Sequence, residues 1–242
     1  TIDNIYITDL KAWCDIDFAS YASNPLSYAE NLYLNGQLVT DLVIPNDISV
    51  IKDHAFSGYS KLNSVVIGEN VTSIANNAFN ECNNLSSITV ASGNKIYDSR
   101  ENCNAVIESE SNKLLLGCKN SVIPDNVTTI GKSAFDGCAG LSEINIPNSV
   151  TCIEEYAFSK SGLKSVEIPS SITQLSKNAF NSCTNLTNVC LSNGVSAITE
   201  QLFASCTNLI SVNIPNSVTE IGSAAFYGCK NLETITIPNS IT

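Results

Sequence analysis

The sequence has no methionine, one tryptophan and one histidine among its 242 residues. Charged side chains make up only 14% of the chain, against roughly 25% in ordinary globular proteins. Because no methionine stands at position 1, we expect a processed product or part of a longer protein, whose signal peptide and anchor lie elsewhere. The chain also lacks any apolar run near the roughly 20 residues that span a bilayer, so we expect no membrane insertion within it.

Basic residues are scarce as well, with 12 Lys and Arg against 23 Asp and Glu and a net charge of −11. An acidic chain without clusters of Lys and Arg repels phosphate groups. We therefore expect no nucleic acid as a partner, and an anionic membrane surface is disfavoured for the same reason.

The sequence also lacks the residue combinations that catalysis and metal binding need. No nucleophile or orienting group stands near the single histidine, His54, so we expect it to face solvent in a turn. There is no Cys-x-x-Cys or Cys/His cluster for zinc, no Asp-x-Asp-x-Asp-Gly loop for calcium and no glycine-rich loop for phosphate. The sequence therefore predicts no enzyme, no cofactor and no metal site.

What the chain has in place of these motifs is repetition. A phenylalanine recurs at spacings of 23, 56, 23, 22, 23 and 23 residues, and six of the seven follow an alanine. A cysteine comes three residues after five of them, then a leucine, and then an alternating apolar pair such as Ile144 and Ile146. Pro-Asn-Ser often closes the unit. The seven phenylalanines are Phe56, Phe79, Phe135, Phe158, Phe180, Phe203 and Phe226.

Each part of this unit has a physical role. The alternating apolar pair is typical of a short strand with one buried face, and the following proline ends the strand because it cannot donate to a ladder. The segment before each phenylalanine, such as 221–226, is long enough for one helical or 3₁₀ turn. A unit of about 23 residues cannot bury its own apolar side chains, so the units must stack into a solenoid.

A strand and a turn within roughly 20–29 residues is the arrangement of leucine-rich repeats. The consensus Val-Thr-x-Ile-x-x-x-Ala-Phe-x-x-Cys-x-x-Leu-x-x-Ile-x-Ile-Pro-Asn-Ser, over residues 42–242, resembles the BspA-like leucine-rich-repeat family of bacterial surface proteins. The resemblance implies an α/β repeat, a right-handed solenoid with parallel strands on its concave face and short helical or 3₁₀ turns on its convex face. It also implies a secreted or cell-surface module that binds or adheres to an extracellular or host-surface protein. A structural spacer or stalk that displays another domain is the alternative.

The N-terminal segment departs from the repeat. A helix there has Thr8 or Asp9 as its N-cap, and an Asn35-Gly36 dipeptide predicts a hairpin with a type I′ turn. Since a solenoid needs one end of its core covered, we expect this segment to cap the array and Trp13 to cover the first repeat. The expected domains are an N-terminal cap at 1–40 and a repeat array at 41–242, with a longer unit at about 91–123.

That longer unit is the second departure. Apolar runs on both sides of a polar Ser-Glu-Ser-Asn stretch predict a β-hairpin, and a similar hairpin insertion is a feature of the BspA-like proteins that the chain resembles. Pairing Glu108 with Lys113 would place Cys103 opposite Cys118, within the range of a disulfide. Two free thiols near the base of the hairpin are the alternative.

The remaining cysteines mostly follow the repeat. Five of the ten occupy one repeat position, where we expect them to be buried as small hydrophobic residues rather than bridged. Cys190 falls on an outward position and is the expected exposed thiol. The five are Cys82, Cys138, Cys183, Cys206 and Cys229.

The strands define a candidate protein-binding surface. If their apolar pairs point inward, the residues before and between them point outward in two columns. Both columns are small, mostly uncharged and without aromatics, whereas interface hot spots favour Trp, Tyr and Arg; a merely solvated sheet is the alternative. One column is Ser64, Ser87, Glu143, Ser165, Asn188, Ser211 and Thr234; the other is Val66, Thr89, Asn145, Glu167, Cys190, Asn213 and Thr236.

Overall fold

Stacked repeats determine the architecture. The computed structural model describes residues 2–242, and within them it has one five-residue helix, α1 (Leu10–Cys14). Three 3₁₀ turns lie at Tyr21–Ser23, Pro25–Ser27 and Arg100–Asn102. The strands are β1 (Asn4–Ile7), β2 (Asn31–Leu34), β3 (Gln37–Leu38), β4 (Asp41–Val43), β5 (Val50–Ile51), β6 (Ser64–Ile67), β7 (Ser73–Ile74), β8 (Ser87–Val90), β9 (Tyr97–Asp98), β10 (Ala105–Glu108), β11 (Lys113–Gly117), β12 (Thr129–Ile130), β13 (Cys152–Ile153), β14 (Ser165–Ile168), β15 (Gln174–Leu175), β16 (Asn188–Leu191), β17 (Ala197–Ile198), β18 (Ser211–Asn213) and β19 (Glu220–Ile221). They form a parallel-strand solenoid of about nine turns, which confirms the predicted fold class.

The strands that follow each leucine build one face of the solenoid. β4, β6 and β8 form one parallel sheet, and β14, β16 and β18 form another. Their register follows the repeat, because Ser64 lies opposite Ser87 and Ser165 lies opposite Asn188. Outward residues alternate with buried ones such as Val166, as expected for strands with one buried face.

Strand pairing between these two sheets is interrupted. Residues 119–124 and 141–147 occupy the corresponding place in their units but are not assigned as strands. Ile146 is nevertheless buried in the core and Ile144 packs against it. We call the outward side of the two sheets and of these unpaired units, together with the unpaired unit at 232–238, the concave face.

A second set of short strands follows the Val/Ile-Thr-x-Ile part of each unit. β5 pairs with β7 and β17 with β19, while β12, β13 and β15 join β9, β10 and β11 in a six-stranded sheet. Most of these strands bury an apolar side chain, for example Ile130 and Ile153, whereas Ile74 and Ile221 are half-buried. The solenoid is therefore held by two ladders of strands along its length.

The phenylalanines stack as a column through the core. The ring centroids of Phe158 and Phe180 are 5.2 Å apart with an interplanar angle of 5°. The rings of Phe180 and Phe203 are 5.7 Å apart, and all three side chains are fully buried. Stacking at this spacing adds to the energy of burial itself.

The segments around these rings are consecutive tight turns, not the helical or 3₁₀ turns that the sequence predicts. In every unit the residue two positions after the phenylalanine has a positive φ, between 53° and 81°. An α- or 3₁₀-helix requires negative φ throughout. The predicted turns end at the phenylalanine, and in six of the seven units the residue two positions before it also has a positive φ, which excludes a helix there. The seven positions after the phenylalanine are Gly58, Glu81, Gly137, Lys160, Ser182, Ser205 and Gly228.

The turns of adjacent units are hydrogen-bonded to each other. The backbone N–H of Phe158 donates to the carbonyl oxygen of Ala179 at 2.8 Å, and that of Lys160 donates to Asn181 at 2.8 Å. These inter-unit bonds satisfy backbone groups that a helix would have satisfied internally. The turn conformation is thus set by the neighbouring unit.

The N-terminal segment packs on the first repeat. Helix α1 begins after Asp9, whose Oδ1 accepts a hydrogen bond from the N–H of Ala12 at 2.9 Å. Trp13 is buried, and its Nε1 donates to the carbonyl oxygen of Ala55 at 2.8 Å. At the hairpin between β2 and β3, Asn35-Gly36 has φ values of 51° and 81°, as a type I′ turn requires.

The predicted hairpin of the longer unit is formed by β10 and β11, with Glu108 opposite Lys113. A β-bulge leaves Leu115 unpaired and shifts the register by one residue beyond it. The register assumed for the disulfide is therefore wrong at the base of the hairpin. Cys103 and Cys118 are both free thiols, and they belong to different hydrophobic clusters.

This hairpin stands between the two hydrophobic clusters of the chain. Val106 and Leu116 pack with the N-terminal cluster, which includes Phe56 and Phe79. Ile107, together with Ala105 and Leu114, packs with the cluster of the later repeats. Side chains on the two faces of the hairpin therefore pack into two different hydrophobic clusters.

Candidate functional site

The fourteen residues predicted to point outward lie on the concave face. Three of them, Ser64, Val66 and Ser87, are half-buried. The exposed ones are Thr89, Glu143, Asn145, Ser165, Glu167, Asn188, Cys190, Ser211, Asn213, Thr234 and Thr236. Their order along the face follows the pairing of the strands, with Glu167 opposite Cys190 and Cys190 opposite Asn213.

Three outward residues of this face were missed by the sequence reasoning. Asp41 lies opposite Ser64 and Val43 opposite Val66, so both continue the two columns toward the N-terminus. Val122 holds the same place in the longer unit and is 66% exposed. Val43 and Val122 each stand two residues before a proline, which is the signal that could have identified them. The outward positions were identified by their spacing from the phenylalanine of each unit. Asp41, Val43 and Val122 were omitted because their units contain no phenylalanine.

Shallow grooves lie along the concave face around the unpaired unit. One of about 510 Å³ is lined by Asp125, Asn145 and Glu167, among others. A second of about 600 Å³ includes Lys119 and Glu143. The charged side chains in this region are three carboxylates and one ammonium group, so the grooves favour a neutral or basic ligand surface.

Polar side chains on the face are linked to one another across strands. Ser64 Oγ donates to Asp41 Oδ1 at 2.5 Å and Thr40 Oγ1 donates to Asp41 Oδ2 at 3.0 Å. These hydrogen bonds lower the pKa of Asp41. At the other end of the face, Ser211 Oγ donates to Asn188 Oδ1 at 2.9 Å. The carboxylate and amide groups are thus held in fixed orientations.

His54 differs from its expected solvent-facing position. It stands in a turn with a φ of 58°, but its side chain is only 17% exposed and its Nε2 lies 3.6 Å from Asp53 Oδ2. The turn packs against the N-terminal segment, where the buried Asn24 donates its Nδ2 to the carbonyl oxygen of His54 at 2.5 Å. The histidine is therefore part of the contact between the cap and the first repeat.

Four of the five cysteines of the repeat position are buried as predicted, whereas Cys229 is half-buried. The thiols of Cys82, Cys183, Cys206 and Cys229 each donate a hydrogen bond to a phenylalanine carbonyl oxygen of the preceding unit. The thiol of Cys183 donates to the carbonyl oxygen of Phe158 at 3.0 Å, and Cys206 makes the corresponding bond to Phe180. Burial raises the pKa of Cys82 and of Cys138 to about 12, so these thiols stay protonated near neutral pH. Cys190 is exposed, as predicted.

Two kinds of feature are absent from the described residues. No group of three or more His, Cys, Asp or Glu in residues 2–242 is arranged to hold a metal ion. The same span has no helix that is long and apolar enough to cross a membrane.

The comparisons with known proteins agree with the repeat architecture. The family model described as BspA type Leucine rich repeat region matches residues 27–114 and 105–233, in six copies. No protein with a curated description matches the chain.

Solved structures of bacterial leucine-rich repeat proteins are similar to this one. A leucine-rich repeat protein from Bacteroides ovatus is 26% identical with a TM-score of 0.56, and the match covers 83% of this chain and 46% of that one. One from Eubacterium ventriosum, 19% identical, has a TM-score of 0.61 over 93% of this chain and 84% of its own. The T. pallidum leucine-rich repeat protein is 25% identical with a TM-score of 0.50, over 83% and 74%.

The chain thus spans less than half the length of the Bacteroides ovatus protein. The family model, by contrast, covers most of this chain. Together with the stacked 23-residue units, this match confirms the resemblance that the consensus indicated, and the chain belongs to the BspA-type leucine-rich-repeat family.

Proposed function

We propose that the chain is a protein-binding module of a secreted or cell-surface protein and that it contacts its partner through the concave face. The observation that carries the proposal is the continuous series of exposed side chains that successive repeats present on one face. Solenoids use such extended faces to bind other proteins. The family membership supports a surface repeat protein of this kind.

The charges of the face define the partner that suits it. Asp41, Glu143 and Glu167 are exposed on it, and the whole chain carries a net charge of −11. Complementary charge steers association and excludes wrong partners. An extracellular or host-surface protein with a neutral or basic patch is therefore the partner class we propose.

A spacer that displays another domain is the second candidate. It is favoured by one specific observation, namely that the fourteen predicted residues include no aromatic side chain and no arginine. Such faces lack the residue types that dominate interface energetics. Leucine-rich-repeat arrays are typically scaffolds, and no catalytic activity is proposed for this one.

The test is a binding measurement against a panel of extracellular-matrix proteins and bacterial surface proteins at physiological salt. A variant with Glu143, Asn145, Glu167 and Asn188 changed to Ala should lose saturable binding by at least about tenfold. The matched control changes the same residue types at exposed positions off the face, Glu110, Asn84, Glu200 and Asn185, and should bind as the parent does. Absence of binding to every member by a folded, monodisperse sample would favour the spacer.

A further inference from the structure

The N-terminal segment carries an exposed apolar surface that the concave face does not explain. Of the eleven large apolar side chains that are exposed in residues 2–242, five lie within the first 40 residues. Tyr6 is 68% exposed and Leu38 is 43% exposed. Aromatic residues, and tyrosine in particular, are enriched in binding hot spots.

Two of these side chains belong to one face of the sheet formed by β1, β2 and β3. Tyr6 lies opposite Tyr33 in the parallel pair β1–β2, and Tyr33 lies opposite Leu38 in the antiparallel pair β2–β3. The opposite face of the sheet is apolar and turned to the core, where Leu32 is fully buried and Ile5 is half-buried. The outer face is thus a row of two aromatic rings and a leucine.

The two tyrosine rings are stacked with 4.9 Å between their centroids and 15° between their planes. This distance is that of neighbouring strands, about 4.7–4.9 Å. Because Tyr6 belongs to the outermost strand of the order β1-β2-β3, its second ring face is turned away from Tyr33. A ring carried by one more strand would stack there at the same spacing.

The backbone of β1 has free hydrogen-bonding groups on the same side. The carbonyl oxygens of Asp3 and Ile7 accept bonds from Asn31 and Asn35 on the β2 side. Since backbone groups alternate in direction along a strand, the N–H and C=O groups of Asn4 and Tyr6 point to the open edge. An edge of this kind can take an added strand.

Charge around this edge sets the chemistry of the occupant. Asp3 and Asp9 flank β1, the backbone N–H of Glu30 donates to the carbonyl oxygen of Asp3, and residues 1–40 as a whole have five carboxylates and one lysine, a net charge of −4. Two copies of β1 pairing with each other would bring Asp3 and Asp9 of both chains together, and like charges facing each other are destabilising. The edge therefore favours a different protein with a basic segment over a second copy of this chain.

We propose that the open edge of β1 binds an extended segment of a partner protein as a fourth strand, with an aromatic side chain stacked on Tyr6 and a Lys or Arg beside the carboxylates. Backbone hydrogen bonds to Asn4 and Tyr6 supply affinity that does not depend on sequence, and the aromatic and basic residues supply selectivity. This site is separate from the concave face and does not rest on the function proposed for it.

The experiment is selection of random peptides of about 12 residues displayed on phage against the whole chain. Enriched peptides should combine an aromatic residue with a basic one in a β-forming segment, and they should slow hydrogen exchange at the N–H groups of Asn4 and Tyr6. Tyr6→Ala should weaken binding by about tenfold, whereas Tyr6→Phe should retain it. The control is Tyr227→Ala, since Tyr227 is 74% exposed and lies far along the chain.

Three results would overturn the proposal. They are a selection without enriched peptides, peptides whose affinity is unchanged by Tyr6→Ala, and a concentration-dependent dimer that Tyr6→Ala abolishes. Equal melting temperatures of Tyr6→Ala and the parent chain are required before the comparison is made. The selected peptides should still bind the variant in which Glu143, Asn145, Glu167 and Asn188 are changed to Ala. This result would show that they bind at a site other than the concave face.

Discussion

The thiol of Cys206 donates a hydrogen bond of 3.1 Å to the carbonyl oxygen of Phe180, one repeat earlier in the chain. In the next unit, the thiol of Cys229 donates the corresponding hydrogen bond of 3.1 Å to the carbonyl oxygen of Phe203. In four of the five units that have it, the recurring cysteine is therefore a free thiol that links one unit to the next. This relationship leads to expectations about thiol reactivity as well as stability.

Phe180→Ala should lower the free energy of unfolding by roughly 3–5 kcal/mol, because it removes a fully buried ring stacked between Phe158 and Phe203. Urea denaturation followed by circular dichroism measures the change. Tyr227→Ala, at an exposed position, is the control and should change stability by less than about 0.5 kcal/mol. A loss of under about 1 kcal/mol for Phe180→Ala would contradict the stacked core.

In the folded chain, Cys190 should be the fast-reacting thiol when an aromatic disulfide reagent is added at pH 8. The other cysteines are buried or half-buried, and burial raises the pKa of Cys14 and Cys82 to about 12, so little thiolate is present there. Cys190→Ser should remove the fast phase. In denaturant all ten thiols should react; a count lower by two would instead indicate the Cys103–Cys118 disulfide.

Gly117→Ala should destabilise the protein by about 1–3 kcal/mol through overpacking. A Cβ at Gly117 would lie 2.0 Å from Cε1 of the buried Phe135 ring. At Gly140 the nearest atom is Cδ of Lys119 at 3.0 Å, which belongs to a flexible side chain, so Gly140→Ala is the matched control. Thermal melts of the two variants should differ clearly; equal melting temperatures would show that the hairpin adjusts.

The ion pair that anchors the hairpin should give a pH-dependent stability. Arg100 donates to both carboxylate oxygens of Asp98, at 2.7 and 2.6 Å, and Ser109 Oγ donates to Oδ2 at 2.7 Å. Burial alone would raise the pKa of Asp98, but these hydrogen bonds outweigh it and lower the pKa below its usual value of 3.8. The unfolded chain then binds the proton more tightly, so the stabilisation is present above about pH 4 and is lost as pH falls through the lowered pKa.

Asp98→Asn should accordingly reduce the free energy of unfolding by about 1 kcal/mol at pH 7, a modest amount because the pair is partly exposed. The difference from the parent should shrink as the pH is lowered from about 5 to 3. Asp125→Asn, at an exposed carboxylate, serves as the control. A difference that stays constant over this range would mean that Asp98 acts through packing and not through its charge.

The sequence allowed the stacking of units and the inward or outward direction of strand residues to be predicted, since both depend on spacing and alternation alone. It did not predict the turns around the phenylalanines. The positive-φ position two residues after each ring is Gly in only three units and is Lys in one, at Lys160, so residue type does not encode it. Hydrogen bonds between neighbouring turns impose that conformation.

For the candidate surface, the sequence predicted which strand residues are exposed, but it did not predict every residue of the surface or the β-bulge. Exposure at Glu143, Glu167 and Cys190 follows from the alternation of the strands. Asp41 was missed because its unit has no phenylalanine. The β-bulge at Leu115 could not be predicted, because the choice between pairing Val106 with Leu116 or with Leu115 depends on packing on both faces of the hairpin.

The hairpin that divides the hydrophobic clusters has a mechanical consequence. Pulled from its two ends, the chain offers two separate cores, and the rupture of one does not remove the contacts of the other. Extension under force should therefore proceed in two main steps, with the six-stranded sheet that contains the hairpin still resisting after the first. A chain built in this way would lengthen in steps under load while part of it stayed folded.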